Sequence, residues 1–328
     1  MMNCGYTVPV AMMMRRKPFV SVVIPLYNKA ESILETLGSA ASQIDVEFEI
    51  VVVDDGSTDG GGRLVETSGV PRLRLIQQAN AGVSAARNRG IAAAEGEWIA
   101  LLDADDLWSH DHLACLLNGI EDSTAIAAFS NLSLQSRAGR PLIDRKIAAQ
   151  KVDDYFSFAL SNGGYPMSSS SVLVRREELL AAGLFAVGIS TGEDIDMWCR
   201  LACRGAFVYN AKLSATYNDV LSPSNKASSG AREVARPLFA QRLPNMIREG
   251  KVPPALVESG RRYANFLFLE YARQLLDCDQ FVEARAVLLN HCNASYDSKR
   301  FVKRLLRTSP PGRALFQLSR AALGAIHR

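Results

Sequence analysis

The residues that hold metals through nitrogen or sulfur are few here and scattered. The four histidines stand at 110, 112, 291 and 327, and the six cysteines at 4, 115, 199, 203, 278 and 292. No CxxC pair occurs and the cysteine spacings follow no framework. That excludes a zinc finger and a disulfide scaffold and suits a reducing compartment. Cys199 and Cys203, one helical turn apart, are expected to pack in a core, and His110 and His112 to lie on the surface. No run reaches the roughly 18 apolar residues of a membrane span. Near the start, Arg15, Arg16 and Lys17 follow a short apolar piece, the reverse of a signal peptide. Residues 1–17 therefore read as a loose leader, and the protein is expected in the cytoplasm. Gly60-Gly61-Gly62 lacks the Lys-Ser/Thr of a P-loop and reads as a flexible turn.

Charge of one sign is missing from the end of the chain. Between Ser298 and Arg328 there are eight Lys/Arg and no Asp/Glu. Of the 37 basic residues 29 remain elsewhere, against 34 acidic ones, a balance of −5. The overall +3 is thus a property of the tail. Lys299–Ser309 sets Phe301, Val302, Leu305 and Leu306 on one helical face and Arg/Lys on the other, and Arg313–Arg328 resumes the helical spacing after Pro310-Pro311. Residues 299–328 are a candidate amphipathic contact with an anionic membrane surface. No nucleic-acid partner is expected.

What the chain has in strength is a series of strands that end in acids. Trp98-Ile-Ala-Leu-Leu leads straight into Asp103-Ala104-Asp105-Asp106. Carboxylates that close repel one another, and a hard divalent cation with substrate phosphates as its other ligands offsets the cost. Phe19–Pro25 is a short β-branched run, Glu47–Asp54 and Leu73–Gln77 read as further strands, and Lys29–Ser42 and Ala81–Ala94 are helical. This alternation predicts a parallel sheet with helices on both faces, and ligands bind such sheets beyond the carboxyl ends of the strands. Asp54, Asp55, Asp103 and Asp105 all fall there. A second block holds strand-like Ala125–Asn131 and Ser168–Val174 and the helices Arg176–Ala182 and Asp194–Arg204. Glu193 and Asp194 open the last helix, where the macrodipole alone would favour carboxylates. Ser222–Gly230 reads as a linker. Tyr263–Leu276 and Gln280–Asn290 form a helical hairpin, whose faint likeness to one tetratricopeptide unit is discounted because a single unit makes no solenoid. Trp98, Trp108 and Trp198 are expected in core packing.

Five segments in order resemble the family 2 glycosyltransferases. They are Val20–Asn28, Val53–Asp59, Asn80–Gly90, Gly96–Asp106 and Gly192–Leu201. The resemblance covers about residues 19–220 and implies an α/β GT-A fold, a Rossmann-like and mainly parallel sheet flanked by helices. It divides the chain into the leader, a catalytic domain at 18–225 and a C-terminal helical extension at 226–328. It implies that Pro25, Tyr27 and Asn28 meet the nucleotide, that Asp55 hydrogen-bonds the base, and that Arg87 lies near the base and diphosphate. Asp54 is implied to be a structural neighbour. Asp103-Ala104-Asp105 matches the DxD motif, with Asp105 on a Mg²⁺ or Mn²⁺ ion and Asp103 on the ribose or the metal. Asp106 is expected to cap the following turn. Asp194 matches the catalytic base, with Glu193 beside it. The reaction implied is transfer of a sugar, with inversion, from a nucleotide donor, expected to be UDP-linked, to a hydroxyl of a glycan or lipid-linked acceptor in surface-polysaccharide or lipopolysaccharide assembly.

Two features depart from the pattern. Tyr217-Asn-Asp-Val220 stands where relatives carry Tyr-Arg-x-His, and QxxRW, the mark of processive synthases, is absent. Addition of single sugars is therefore expected. A sugar-1-phosphate nucleotidylyltransferase is an alternative, opposed by the loop Tyr27-Asn-Lys-Ala-Glu31, which lacks a Gly-rich basic pattern. A noncatalytic nucleotide- or glycan-binding module is another, opposed by the presence of both the DxD and Glu193-Asp194. Tyr165 and Ser168–Ser171 precede a strand near the place where an acceptor sits in this family.

Overall fold

In the computed structural model, residues 19–120, 124–135, 140–144, 146–189, 191–218 and 234–312 are described. The expected leader, the linker Ser222–Gly230 and the helix Arg313–Arg328 lie outside them. The first strands are β1 (Phe19–Leu26), β2 (Glu47–Asp54), β3 (Leu73–Gln77) and β4 (Trp98–Leu101), with α1 (Ile33–Ala41), α2 (Gly61–Glu66) and α3 (Val83–Ala93) between them. There follow β5 (Leu107–Trp108), α4 (His112–Asn118), β6 (Ala127–Leu134), β7 (Arg140–Pro141), β8 (Gln150–Val152), α5 (Tyr155–Ser161), β9 (Val172–Arg175), α6 (Arg176–Ala181), α7 (Glu193–Ala202) and β10 (Phe207–Tyr217). The described chain ends with α8 (Leu238–Arg248), α9 (Val257–Asp277), α10 (Phe281–His291) and α11 (Ser298–Arg307).

One sheet runs in the order β3-β2-β1-β4-β9-β6-β10-β5, with β7 on β6 and β8 on β10. It is parallel from β3 to β4. Beyond β4 it is mixed: β9 runs antiparallel to β4 and β6, and only β6 with β10 is parallel. The mainly parallel expectation thus describes the first half. β1 carries Val and Ile on both faces because both are covered: Val22 and Ile24 face one apolar core and Val23 the other. The parallel register sets Leu26 opposite Asp54 and Asp54 opposite Gln77, so these strands end at one edge.

The core that takes Val23 also takes the C-terminal helices. Phe156 of α5 stacks on Phe239 of α8 at 5.3 Å and lies 5.8 Å from Tyr263 of α9. The Tyr263 hydroxyl donates to the Gly164 carbonyl at 2.7 Å. α9 starts at Val257, earlier than its apolar pattern indicates, because Pro253 and Pro254 lead it off as a 3₁₀ turn.

Several local expectations are corrected. α1 begins at Ile33 rather than Lys29, since Asn28 takes a left-handed backbone (φ 51°) and a turn intervenes. Gly60-Gly61-Gly62 is no flexible turn: it caps and opens α2, and a Cβ on Gly62 would lie 2.1 Å from Asp54 Oδ2. His112 is no surface residue: it is fully buried, stacks on Trp108 at 4.4 Å and sets Nδ1 2.8 Å from Ser214 Oγ. Burial pushes its pKa down to about 3, so the ring is neutral. In α11 the face divides. Phe301 and Leu305 pack inward while Val302 and Leu306 are exposed, and Arg304 and Arg307 turn inward to pair with Glu270 and Asp277. Trp98, Trp108 and Trp198 are buried, as are Cys199 and Cys203.

Candidate active site

The acids expected at strand ends do meet at one edge of the sheet. Asp103 and Asp105 follow β4, and a hydrogen bond from Asp106 N to Asp103 O closes the turn. Ser170 supports it, its Oγ accepting from Asp103 N at 3.0 Å. From the far side, α7 brings Glu193 and Asp194. Gly192 caps that helix with φ 86°, a left-handed conformation open to glycine at little cost, and so aims both carboxylates at the edge.

Arg87 of α3 joins the two groups. Its side chain is 4% exposed, and it donates to Glu193 Oε1 at 2.9 Å and to Asp103 Oδ1 at 2.7 Å. Its guanidinium also lies over the Phe185 ring, 5.4 Å from the centroid. Burial alone would lower its pKa, but Asp103 and Glu193 hold it above the ordinary value, so it is a fixed cation. Lys29 pairs with Asp105 Oδ2.

Of the four carboxylates at 103, 105, 193 and 194, only Asp194 has no ion pair among the described residues. Its Oδ1 accepts from Ile195 N at 2.7 Å. Burial, then repulsion from Glu193, push its carboxyl up to about 7 against the pull of Arg87. A carboxylate poised there can accept a proton at neutral pH.

The remaining expected residues surround the edge. Pro25 is buried at the end of β1, while Tyr27 (49% exposed) and Asn28 are open. Asn28 Oδ1 accepts from Thr58 N at 2.8 Å and its N–H donates to Ser57 Oγ at 3.1 Å, which locks two loops together. Asp54 accepts from Ser57 N at 2.9 Å, as a structural residue would. Asp55 is 2% exposed, and both its oxygens are engaged: Oδ1 by Gln78 Nε2 (2.7 Å) and Ala81 N (2.9 Å), Oδ2 by Gly82 N (2.8 Å). It holds the loop ahead of α3, and a base reaching it would have to fit beside those donors. Asp106 does not cap the turn that follows. It is buried, Oδ1 accepts from Asn218 N at 2.9 Å, and burial with the nearby Asp103 pushes its carboxyl well up.

No group of three His, Cys, Asp or Glu side chains is arranged to hold a metal among the described residues. The donor set still fits a hard cation. Asp103 Oδ2 and Asp105 Oδ1 receive no hydrogen bond among the described residues, and Mg²⁺ is commonly held by one or two carboxylates plus substrate phosphates. Lys29 went unnoticed in the sequence because 76 residues separate it from Asp105, and only the turn after β1 brings it there.

Comparison with known proteins bears on the family and the fold. The model of "Glycosyl transferase family 2" matches residues 21–151, and that of "Glycosyl transferase family group 2" residues 98–243. The teichuronic acid biosynthesis glycosyltransferase TuaG of Bacillus subtilis, itself a putative assignment by name, is 31% identical over 196 residues, 59% of this chain and 75% of TuaG. The chain belongs to the family 2 glycosyltransferases. Within the family, the succinoglycan biosynthesis protein ExoO of Rhizobium meliloti is 42% identical over 126 residues, 38% of this chain and 36% of ExoO. The chain thus spans about a third of ExoO, and 35% of an uncharacterized glycosyltransferase of Rickettsia felis. The fold is shared with S. aureus TarS residues 1–349, solved with UDP-GlcNAc, at TM-score 0.63 and 20% identity over 87% of this chain and 90% of that one. It is also shared with the mannosyltransferase PcManGT of Pyrobaculum calidifontis, solved with GDP-Man and Mn²⁺, at TM-score 0.55 and 23% identity over 92% and 84%. The GT-A architecture expected from the motifs is therefore present, with helices added after the sheet.

Proposed function

We propose that this chain transfers one sugar at a time, with inversion, from a nucleotide sugar, UDP-linked in the first instance, to a hydroxyl of a glycan or lipid-linked acceptor. The observation that carries this reading is the Arg87 bridge between Asp103 and Glu193 beside an unpaired Asp194 whose carboxyl sits near 7. Asp103 and Asp105 would hold Mg²⁺ or Mn²⁺. Such an ion neutralises charge on a departing diphosphate. Asp194 takes the acceptor O–H proton as that oxygen bonds to the anomeric carbon, and the bond from that carbon to the diphosphate oxygen breaks. Arg87 holds Asp103 and Glu193 in place through its two hydrogen bonds, so the charge around the leaving group is set before reaction. With a single base and no protein nucleophile the reaction is one displacement, unlike the paired carboxylates of glycosidases.

The donor class draws support from TarS with UDP-GlcNAc, and the setting from the names of ExoO and TuaG, which belong to polysaccharide assembly. No helix among the described residues is long and apolar enough to cross a membrane. Exposed Val302 and Leu306 among the basic residues of α11 support a peripheral contact with the cytoplasmic membrane face. The test is a thermal-shift screen of UDP-, GDP- and dTDP-sugars with Mn²⁺, followed by nucleotide release. Stabilisation by one class and its release as the diphosphate is expected; no stabilisation by any of them sinks the proposal.

A further inference from the structure

A cavity of about 300 Å³ opens beside Asp194, which lines it. Tyr165 closes one side, and the wall toward the C-terminus is α9, which contributes Leu267, Glu270, Tyr271 and Gln274. Neither family model reaches α9: they end at 151 and 243. The proposed base therefore looks into a space completed by a part of the chain outside the family match.

We propose that α9 supplies the acceptor subsite, and that the cavity takes the terminal ring of a neutral sugar with one hydroxyl on Asp194. This rests on reading Asp194 as the base. The volume is at the low end for small-molecule clefts and suits one ring better than a chain. Leu267 and the Tyr271 ring offer an apolar surface to the C–H face of a sugar. Gln274 Oε1 is taken by Ala235 N at 3.0 Å, which leaves its amide hydrogens for a hydroxyl. The charge nearest the base selects against acidic sugars. Asp194 and Glu270 line the space, as do Arg236 and Arg273, and Glu270 is already paired with Arg273 and Arg304 at 2.8 and 2.6 Å. A uronate carboxylate on a ring held by Asp194 would meet that unpaired acid in a part-buried site. Arg304 belongs to α11, so the wall of the cavity is tied to the basic helix.

The test uses the full chain with UDP present and saturation-transfer NMR. The probes are the p-nitrophenyl β-glycosides of glucose, galactose and N-acetylglucosamine, with the glucuronide as the charged arm. At least one neutral glycoside is expected to bind, and the glucuronide about tenfold more weakly. Tyr271→Ala should weaken the neutral probe by about tenfold with UDP affinity unchanged, and Tyr271→Phe, which keeps the ring, should restore it. If Tyr271→Ala fails to bind UDP, Thr191→Trp at the exposed mouth replaces it and should exclude the glycoside while leaving UDP affinity unchanged. Binding of none of the neutral probes, equal binding of the glucuronide, or indifference to the cavity variant overturns the inference. If UDP still binds and donor hydrolysis continues in those cases, the proposed function survives; loss of nucleotide binding by the unaltered protein would sink that reading instead.

Discussion

The two halves of this molecule hold themselves together differently. The N-terminal half, from β1 to the acids after β4, is tied at its sheet edge by polar links between loops: Asn28 to Thr58, Ala30 to Asp59, Asp55 to Gly82, Arg87 to Asp103. The half built from α5, α8 and α9 relies on aromatic packing: Phe156, Phe239, Tyr263 and Tyr155 pack as one group. Polar links need specific atoms at specific distances, and aromatic packing needs volume. The first half therefore shows its chemistry as motifs, and the second presents a packed wall to the site. Asp194 stands where the two meet.

The comparison breaks most sharply at Asp194. Asp194→Asn should keep donor binding and lose about 10²–10⁴-fold in kcat, the usual contribution of a positioned base. Transfer at the unaltered rate would remove Asp194 from the chemistry. The same variant should be more stable than its parent as pH rises. The carboxyl titrates near 7 in the fold and near 3.8 unfolded, so the stabilisation it gives is present at low pH and lost as pH climbs toward 7. In the parent, kcat/KM should rise with pH through about 7. A flat profile from pH 5 to 9 would contradict the assignment.

Arg87→Ala tests the polar half. Removing the cation leaves Asp103 and Glu193 facing each other, and a loss of about 3–5 kcal/mol is expected by denaturant unfolding. Phe239→Ala tests the packed half. It should cost a similar 3–5 kcal/mol, yet leave UDP affinity in the folded fraction unchanged; a parallel loss of UDP binding would show that the halves are not separable in this way. A smaller effect belongs to Tyr263→Phe, which removes the hydroxyl donor to Gly164 at about 1 kcal/mol. The smallest effect on the fold is expected from Val302→Ser with Leu306→Ser. Melting temperature should stay within a degree or so, while flotation with anionic liposomes falls; equal flotation of both forms would end the membrane contact.

Much of the N-terminal half was legible in advance. β1, β2, β3 and β4 lie where the sequence placed them; β1 and β4, covered on both faces, are almost wholly apolar, while the edge strand β3 is only half-buried and carries Arg74 and Gln77. Strand-end topology pointed to Asp54, Asp55, Asp103 and Asp105 at one edge, whereas Glu193 and Asp194, on a helix, were placed there only by the resemblance; Arg87 bridges Asp103 to Glu193. His112 was not legible: a histidine just after an acidic run reads as surface, and only the stack on Trp108 and the Ser214 partner show otherwise. Asp106 and the triglycine segment were misread for the same reason. Their partners, Asn218 and Asp54, come from distant or differently oriented chain.

By itself the sequence determined the first four strands and which acids end them, because burial dictates apolar runs and charge is tolerated where a strand leaves the sheet. Tertiary structure alone decided which acids are paired. Arg87 and Lys29 pair with three of them and leave Asp194 without an ion pair, its desolvation only partly offset by Arg87. It also decided that α9 faces that carboxylate, since a helix packed through aromatic volume carries no signal in its sequence of what its far face will meet.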